Sequence, residues 1–238
     1  MNAPVTPRPP LLLAATRPEA DYVARALGVE MKASQIVTPH WVLAVGGIGG
    51  HPNVAALHRA VRQRQISRVI QFGFAGALAP GLQPGHIERF VTIAEPSGRM
   101  ISLEDAVPRV LTKEEVPPAG PRLLTVPYLV YRAADKQRLF NYHNAIAVDM
   151  ESFAVAQACA QLNLPYTLIR AISDPAEMTL PQGAESWVDK EGVVRVGRVI
   201  RHLIFHPRSF PTMLELGRNC KAAGPVMTGH VLEALQKS

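Results

Sequence analysis

The chain has 238 residues, 47% of them hydrophobic and 18% charged, which excludes a disordered chain and suits one compact α/β domain. Its formal charge of +6 admits an acidic partner or an anionic surface, yet no nucleic-acid motif accompanies that charge and aromatics are only 6%. Two cysteines, Cys159 and Cys220, are too few for a disulfide framework and fit a reducing cytoplasm; the eight histidines show no metal-like spacing, so no metal site is expected.

Residues 1–10 are proline-rich and read as a disordered tail. The apolar run 11–15 is too short for a signal core or a membrane span and reads as a first buried strand. Pro18 opens a helix that runs to Leu27, with Glu19 as a helix-start acid. A strand at 41–45 runs into Gly46-Gly47-Ile48-Gly49-Gly50, followed by a helix from Val54 to about Arg64. Glycines at such a junction let backbone N–H groups approach an oxyanion, although a tight turn alone would use them too. Their spacing is not the dinucleotide fingerprint.

Further strands are expected at 68–74, ending in Gly73 and Phe74, and at 87–94. Residues 96–121 are polar and proline-containing, with Glu104, Asp105 and Arg109 on a short helix or in a loop. A strand follows at 123–131, with Pro127 placing it at an edge or bulge. Core packing is the plain reading of Tyr128, Val130 and Tyr131.

The stretch 145–148 is a short buried strand, followed by a polar turn, Asp149-Met150-Glu151-Ser152, and a helix over 153–162. A second buried strand, 166–172, ends in Ser173-Asp174-Pro175. Ligands of open α/β sheets sit outside the carboxyl ends of strands, so Glu151 and Asp174 can share one crevice. Taken alone, these carboxylates read more simply as helix-start and turn residues.

Val148-Asp149-Met150-Glu151-Ser152 with Arg170-Ala171-Ile172-Ser173-Asp174 resembles the signature pair of the purine nucleoside phosphorylase and methylthioadenosine/adenosylhomocysteine nucleosidase superfamily. The resemblance covers roughly residues 11–174. It implies a single-domain, three-layer α/β/α fold around a central twisted mixed sheet. It also implies cleavage of a purine N-ribosidic bond without a cofactor, inorganic phosphate being the co-substrate of a phosphorylase. On that resemblance Asp174 protonates the purine ring nitrogen, with Ser173 holding it. A free Asp titrates near pH 3.9, so the role requires burial or a hydrogen bond. Glu151 accepts from both ribose hydroxyls, and Met150 packs against the sugar. Glu19 stands where nucleosidases carry a water-activating Glu. Gly47, Gly49, Gly73 and Phe74 fall in the loops lining the ribose and nucleophile site, and Tyr128 and Val130 fall near the base. Glu19 and Gln71 replace arginines of some phosphorylases, and Phe74 replaces a common Ser or Thr. These departures lean towards water as nucleophile and leave the choice open.

Beyond Asp174, the order Leu-Pro, Asp-x-x-Gly, helix, Pro, helix resembles the hopanoid-associated phosphorylase branch, which implies adenosylhopane as substrate. The domain is expected to span 11–223, with a helical part at 196–223 and a C-terminal tail at 224–238. The basic, amphipathic C-terminal part either packs on the core or docks its charged face on anionic lipid. A cytoplasmic homo-oligomer, in peripheral contact with the inner face of the membrane, is the resulting expectation. A nucleoside-binding protein without catalysis is the alternative of another class, though binding alone needs no leaving-group acid.

Overall fold

A computed structural model of the protein describes residues 8–181, 206 and 209–237. Its strands and helices are β1 (Leu11–Ala14), α1 (Arg17–Ala26), β2 (Gln35–Val37), β3 (Val42–Val45), α2 (Gly50–Gln63), β4 (Val69–Ala77), β5 (Thr92–Ala94), β6 (Met100–Ser102), β7 (Arg109–Val110), β8 (Arg122–Thr125), α3 (Ala133–His143), β9 (Ala147–Asp149), α4 (Ser152–Gln161), β10 (Tyr166–Asp174) and α5 (Phe210–Gln236). The sheet runs β2-β3-β1-β4-β9-β8-β5-β6-β7, with β10 also paired to β4. It is mixed: β3, β1, β4 and β10 run parallel to one another, whereas β2 meets β3 and β9 meets β4 antiparallel.

The nine-residue β4 organises the sheet. Its first part pairs with β1 and along its length with β10, and its last two residues pair with β9. Strands buried on both faces read as continuous apolar runs, and β1 divides its side chains between two cores. Leu11 and Leu13 join Ala56, Leu57 and Ala60 of α2 and Phe153, Ala156 and Cys159 of α4. Leu12 and Ala14 join Ala20 and Val23 of α1 and Ala223, Met227 and Val231 of α5. The expected α/β/α layering follows from this alternation.

Several expected boundaries move. Gly49, at φ +92°, turns the chain directly into α2, which begins at Gly50 rather than Val54. The strand expected at 87–94 contracts to Thr92–Ala94, Ile87 making only an isolated bridge to Ala171. The strand expected at 123–131 stops at Thr125, because Pro127 has no N–H for the ladder. Residues 96–121 hold the short antiparallel strands β6 and β7, with Arg109 on β7.

Helix α3 had no counterpart in the apolar pattern. Nor did the continuation of α5 through 224–236, where a tail was expected: Gly224, Met227, Thr228 and Val231 are buried at helical spacing. Gly224 admits the Tyr22 ring, which would lie 2.4 Å from a Cβ there. At the other end Pro9 and Pro10 are already buried, their carbonyls accepting the Ser67 and Val42 N–H groups. The helix expected at 196–204 and residues 1–7 of the N-terminal tail lie outside the described residues. Among the described residues no helix is long and apolar enough to cross a membrane.

Candidate active site

The carboxyl ends of β1, β4, β9 and β10 converge on one cleft of about 200 Å³. That is below the roughly 300–1,000 Å³ of drug-sized sites, so it suits a small ligand. Thr16, Glu19, Ile48, Phe74, Gly76, Tyr128, Val130, Met150, Glu151, Ser173 and Asp174 are among its lining residues.

One side of the cleft is a carboxylate network around Arg170 of β10, a fully buried side chain. Its Nη2 pairs with Asp149 Oδ2 at 2.7 Å and Glu151 Oε2 at 3.4 Å. Nε and Nη2 also donate to Ser152 Oγ. Burial works against the guanidinium charge, but Asp149, Glu151 and Glu19 outweigh it and hold Arg170 protonated. Asp149 is further tied to the Thr125 hydroxyl at 2.7 Å and receives the Ser152 N–H, so it caps α4 and orients Arg170. Neither acid lies in the first turn of α4, as the sequence suggested: Glu151 is the residue just before the helix. Its Oε1 accepts the Gly49 N–H at 3.0 Å. Burial pushes the Glu151 carboxyl up to about 7; Arg170 and the Gly49 N–H oppose this rise, and Asp149 and Glu19 add to it.

Glu19 serves two ends of the fold. One oxygen accepts the Thr16 N–H and hydroxyl, both at 2.8 Å, as the acid of a capping box at the start of α1. The other accepts the Phe74 N–H at 2.8 Å. Gly73 makes this packing possible, since a Cβ there would lie 2.3 Å from Arg170 Nη1 and 2.6 Å from Glu19 Oε1. Arg170 Nη1 itself is buried without a hydrogen-bond partner.

On the other side, Asp174 ends β10. Ser173 Oγ donates to its Oδ1 at 2.6 Å, as expected of a holding residue. Its Oδ2 receives Lys136 Nζ of α3 at 2.5 Å. Lys136 is the only buried residue of that helix. Gly76 leaves room for the carboxylate, whose Oδ2 would be 3.0 Å from a Cβ at that position.

The expected residues thus divide. Glu19, Phe74, Tyr128, Val130, Met150, Glu151, Ser173 and Asp174 share the cleft. Gly47, Gly49 and Gly73 do not line it; they shape the backbone behind it. The Gly47 and Gly49 carbonyls accept Asn53 Nδ2, which anchors the loop to α2. Phe74 contributes through its N–H, while its ring meets Tyr22 edge-on. Tyr128 is not core but half-exposed, because the strand ends before it; Val130 is buried. Gln71 points away from the cleft into the core, accepting the Tyr166 hydroxyl at 2.6 Å. Arg170 was legible only as part of a motif, and Lys136 gave no signal, its partner lying 38 residues away. Among the described residues no group of three His, Cys, Asp or Glu could hold a metal ion.

Residues 103–204 match the family model of the phosphorylase superfamily. The 5'-methylthioadenosine/S-adenosylhomocysteine nucleosidase of Staphylococcus aureus is 26% identical over 129 residues, 54% of this chain and 55% of that protein. The match therefore spans about half the length of this curated relative. Among solved structures, the Helicobacter pylori 5'-methylthioadenosine/S-adenosyl homocysteine nucleosidase aligns with a TM-score of 0.66 at 13% identity, covering 97% of this chain and 99% of that one. Futalosine hydrolase of the same organism gives 0.66 at 13% identity over 97% and 98%. The Neisseria meningitidis nucleosidase bound to methylthio-immucillin-A gives 0.65 at 18% identity over 98% and 100%. The nucleoside phosphorylase-like fold and the superfamily likeness read from the two motifs are both borne out.

Proposed function

We propose that this chain, similar as it is to the phosphorylase superfamily and its nucleosidases, cleaves the N-ribosidic bond of an adenosyl compound by hydrolysis. The observation that carries the reading is that Glu151 and Asp174, from the ends of two different strands, face one small cleft together with Glu19. Base cleavage requires the purine to leave neutral, a cationic sugar to be stabilised and a nucleophile to be placed opposite the base. Asp174 and Ser173 mark the base end. Glu151 takes the ribose hydroxyls, with Met150 against the sugar, and Glu19 takes a proton from the attacking water.

Electrostatics favour water over phosphate. Glu19, Asp149 and Glu151 surround a single cation, Arg170. An excess of carboxylates stabilises an oxocarbenium-like sugar and repels a phosphate dianion.

Adenosylhopane is the finer substrate assignment, supported by the resemblance of the segment beyond Asp174. A cleft of about 200 Å³ holds the nucleoside end only, leaving the hydrocarbon outside its mouth. Peripheral docking on anionic lipid and a homo-oligomeric state belong to the same proposal. The test is adenine release from adenosylhopane, methylthioadenosine and adenosylhomocysteine, with and without phosphate. Free ribosyl product without phosphate is expected. A strict phosphate requirement with a sugar 1-phosphate product would sink the hydrolytic reading, and tight adenine binding without turnover would leave a binding protein. Asp174→Asn should lower adenine release by roughly 10²-fold or more.

A further inference from the structure

We propose that Lys136 is a positioning residue for Asp174 and the reservoir of the proton that the departing purine takes up. This rests on the cleavage reading above. The Lys136 ammonium has three acceptors: Asp174 Oδ2 at 2.5 Å, the Pro175 carbonyl at 2.9 Å and the Met178 carbonyl at 3.1 Å. All three of its donors are therefore used. The Ser173 hydroxyl occupies the other Asp174 oxygen. Asp174 thus already accepts a hydrogen bond on each oxygen, one of them from an ammonium, at the place where a leaving base needs a proton.

The plain alternative is a staple tying α3 to the 175–178 turn. A staple needs no charge, however, and desolvating an ammonium is costly without a carboxylate to answer it. Here the carboxylate that answers it lines the cleft.

The proton step balances as follows. The C1′–N9 bond breaks and its electron pair goes to the purine. A Lys136 Nζ–H bond breaks, Asp174 Oδ2 takes the proton, and Asp174 passes it to a purine ring nitrogen. Lys136 is left as a neutral amine, Asp174 as a carboxylate and the purine as a neutral base. Water adds to C1′ and gives its proton to Glu19; Glu19 then releases that proton to solvent and solvent reprotonates Lys136.

No other facing group competes for that proton near neutrality. Cys220 of α5 lies in the field of Asp174 and Glu19, but burial first and then these charges push its thiol up to about 12. Asp135 and Arg138 flank Lys136 on α3 and pair with each other at the surface. Glu177 in the turn is exposed.

Lys136→Met and Lys136→Arg test the proposal on two substrates, the adenosyl compound and 4-nitrophenyl β-D-riboside, whose leaving group departs without a proton. Arg keeps the ion pair but does not release its proton. Both variants should lose roughly 10²-fold in kcat on the adenosyl substrate, with KM within about threefold, and little on the nitrophenyl riboside. Equal losses on both substrates, no loss, or full rescue by Arg would overturn the proposal. Should neither variant fold, the wild-type pH profile decides. Purine release should fall towards alkaline pH relative to nitrophenol release, and coincident profiles would overturn it. A wild-type protein that turns over neither substrate defeats the cleavage reading itself.

Discussion

At one end of the cleft one carboxylate, Asp174, meets one ammonium, Lys136; at the other, three carboxylates, Glu19, Asp149 and Glu151, surround one guanidinium, Arg170. The Asp174 end is balanced and every donor of its cation is used. The Glu151 end has more carboxylates than cations, and burial first, with Asp149 and Glu19 adding to it, pushes the Glu151 carboxyl up to about 7. Two buried charge clusters of one fold thus answer to different demands. One pairs its charges one to one, and the other gathers three carboxylates around one cation.

Removing the cation of the crowded end should have the largest effect. Arg170→Met leaves buried carboxylates without their counter-ion, which costs about 3–5 kcal/mol. A fall in Tm on the order of 10 °C is expected in thermal unfolding, together with loss of activity. A Tm within a degree or two of wild type would show that the network stands without its cation.

Glu19→Gln comes next. The carboxamide keeps an oxygen for Phe74 or Thr16 but cannot take a proton from water. Hydrolysis should fall roughly 10²-fold, and the Tm should fall by a few degrees because either the Thr16 or the Phe74 N–H loses its acceptor. Added phosphate should not restore the rate, and if it did, water activation would not be the role of Glu19.

Glu151→Gln sharpens the comparison through pH. The folded carboxyl titrates at about 7, above its ordinary 4.5. The folded state therefore binds this proton more tightly than the unfolded chain does. Its stabilising contribution is complete below pH 4.5 and is lost as pH rises through 7. The variant should melt a few degrees above wild type at about pH 8, and the gap should close towards about pH 5. The same variant should weaken ribosides more than 2′-deoxyribosides, since one charged acceptor serves both hydroxyls. A lower Tm at pH 8 would mean that pairing with Arg170 outweighs the burial of charge.

The smallest effect belongs to the loop. Gly49 sits at φ +92°, and a Cβ there would meet nothing within 4 Å. Gly49→Ala therefore acts through the backbone alone, at a cost of about 1–3 kcal/mol, and shifts the N–H that Glu151 accepts. KM for ribosides should rise a few-fold while kcat holds; an unchanged KM would detach this loop from sugar binding.

What was legible in the chain follows the same division. β1, β4 and β10 are buried on both faces, so their apolar runs stand out, and the motifs at 148–152 and 170–174 place Glu151 and Asp174 at strand ends. Lys136 could not be read. The segment Ala133-Ala134-Asp135-Lys136-Gln137-Arg138 looks like a solvated surface, and only the fold brings its one buried residue to Asp174. The apolar run 123–131 overstated a strand, because composition does not show where Pro127 ends the ladder. Residues 224–236 passed for a tail, although Met227 and Val231 repeat at the four-residue spacing of a helix face.

Helix α5 also bears on how the protein is made. Its residues Ala223, Met227 and Val231 cover the face of the sheet to which Leu12, Ala14 and Phe72 contribute. Arg68, just before β4, donates to the carbonyls of Ala234 and Leu235 at 2.8 and 3.1 Å. The ribosome delivers β1 about 200 residues before this lid, an interval on the order of 10–40 s at usual elongation speeds. Throughout that interval the nascent chain carries an uncovered oily face, which makes it a client for chaperones until its last long helix arrives.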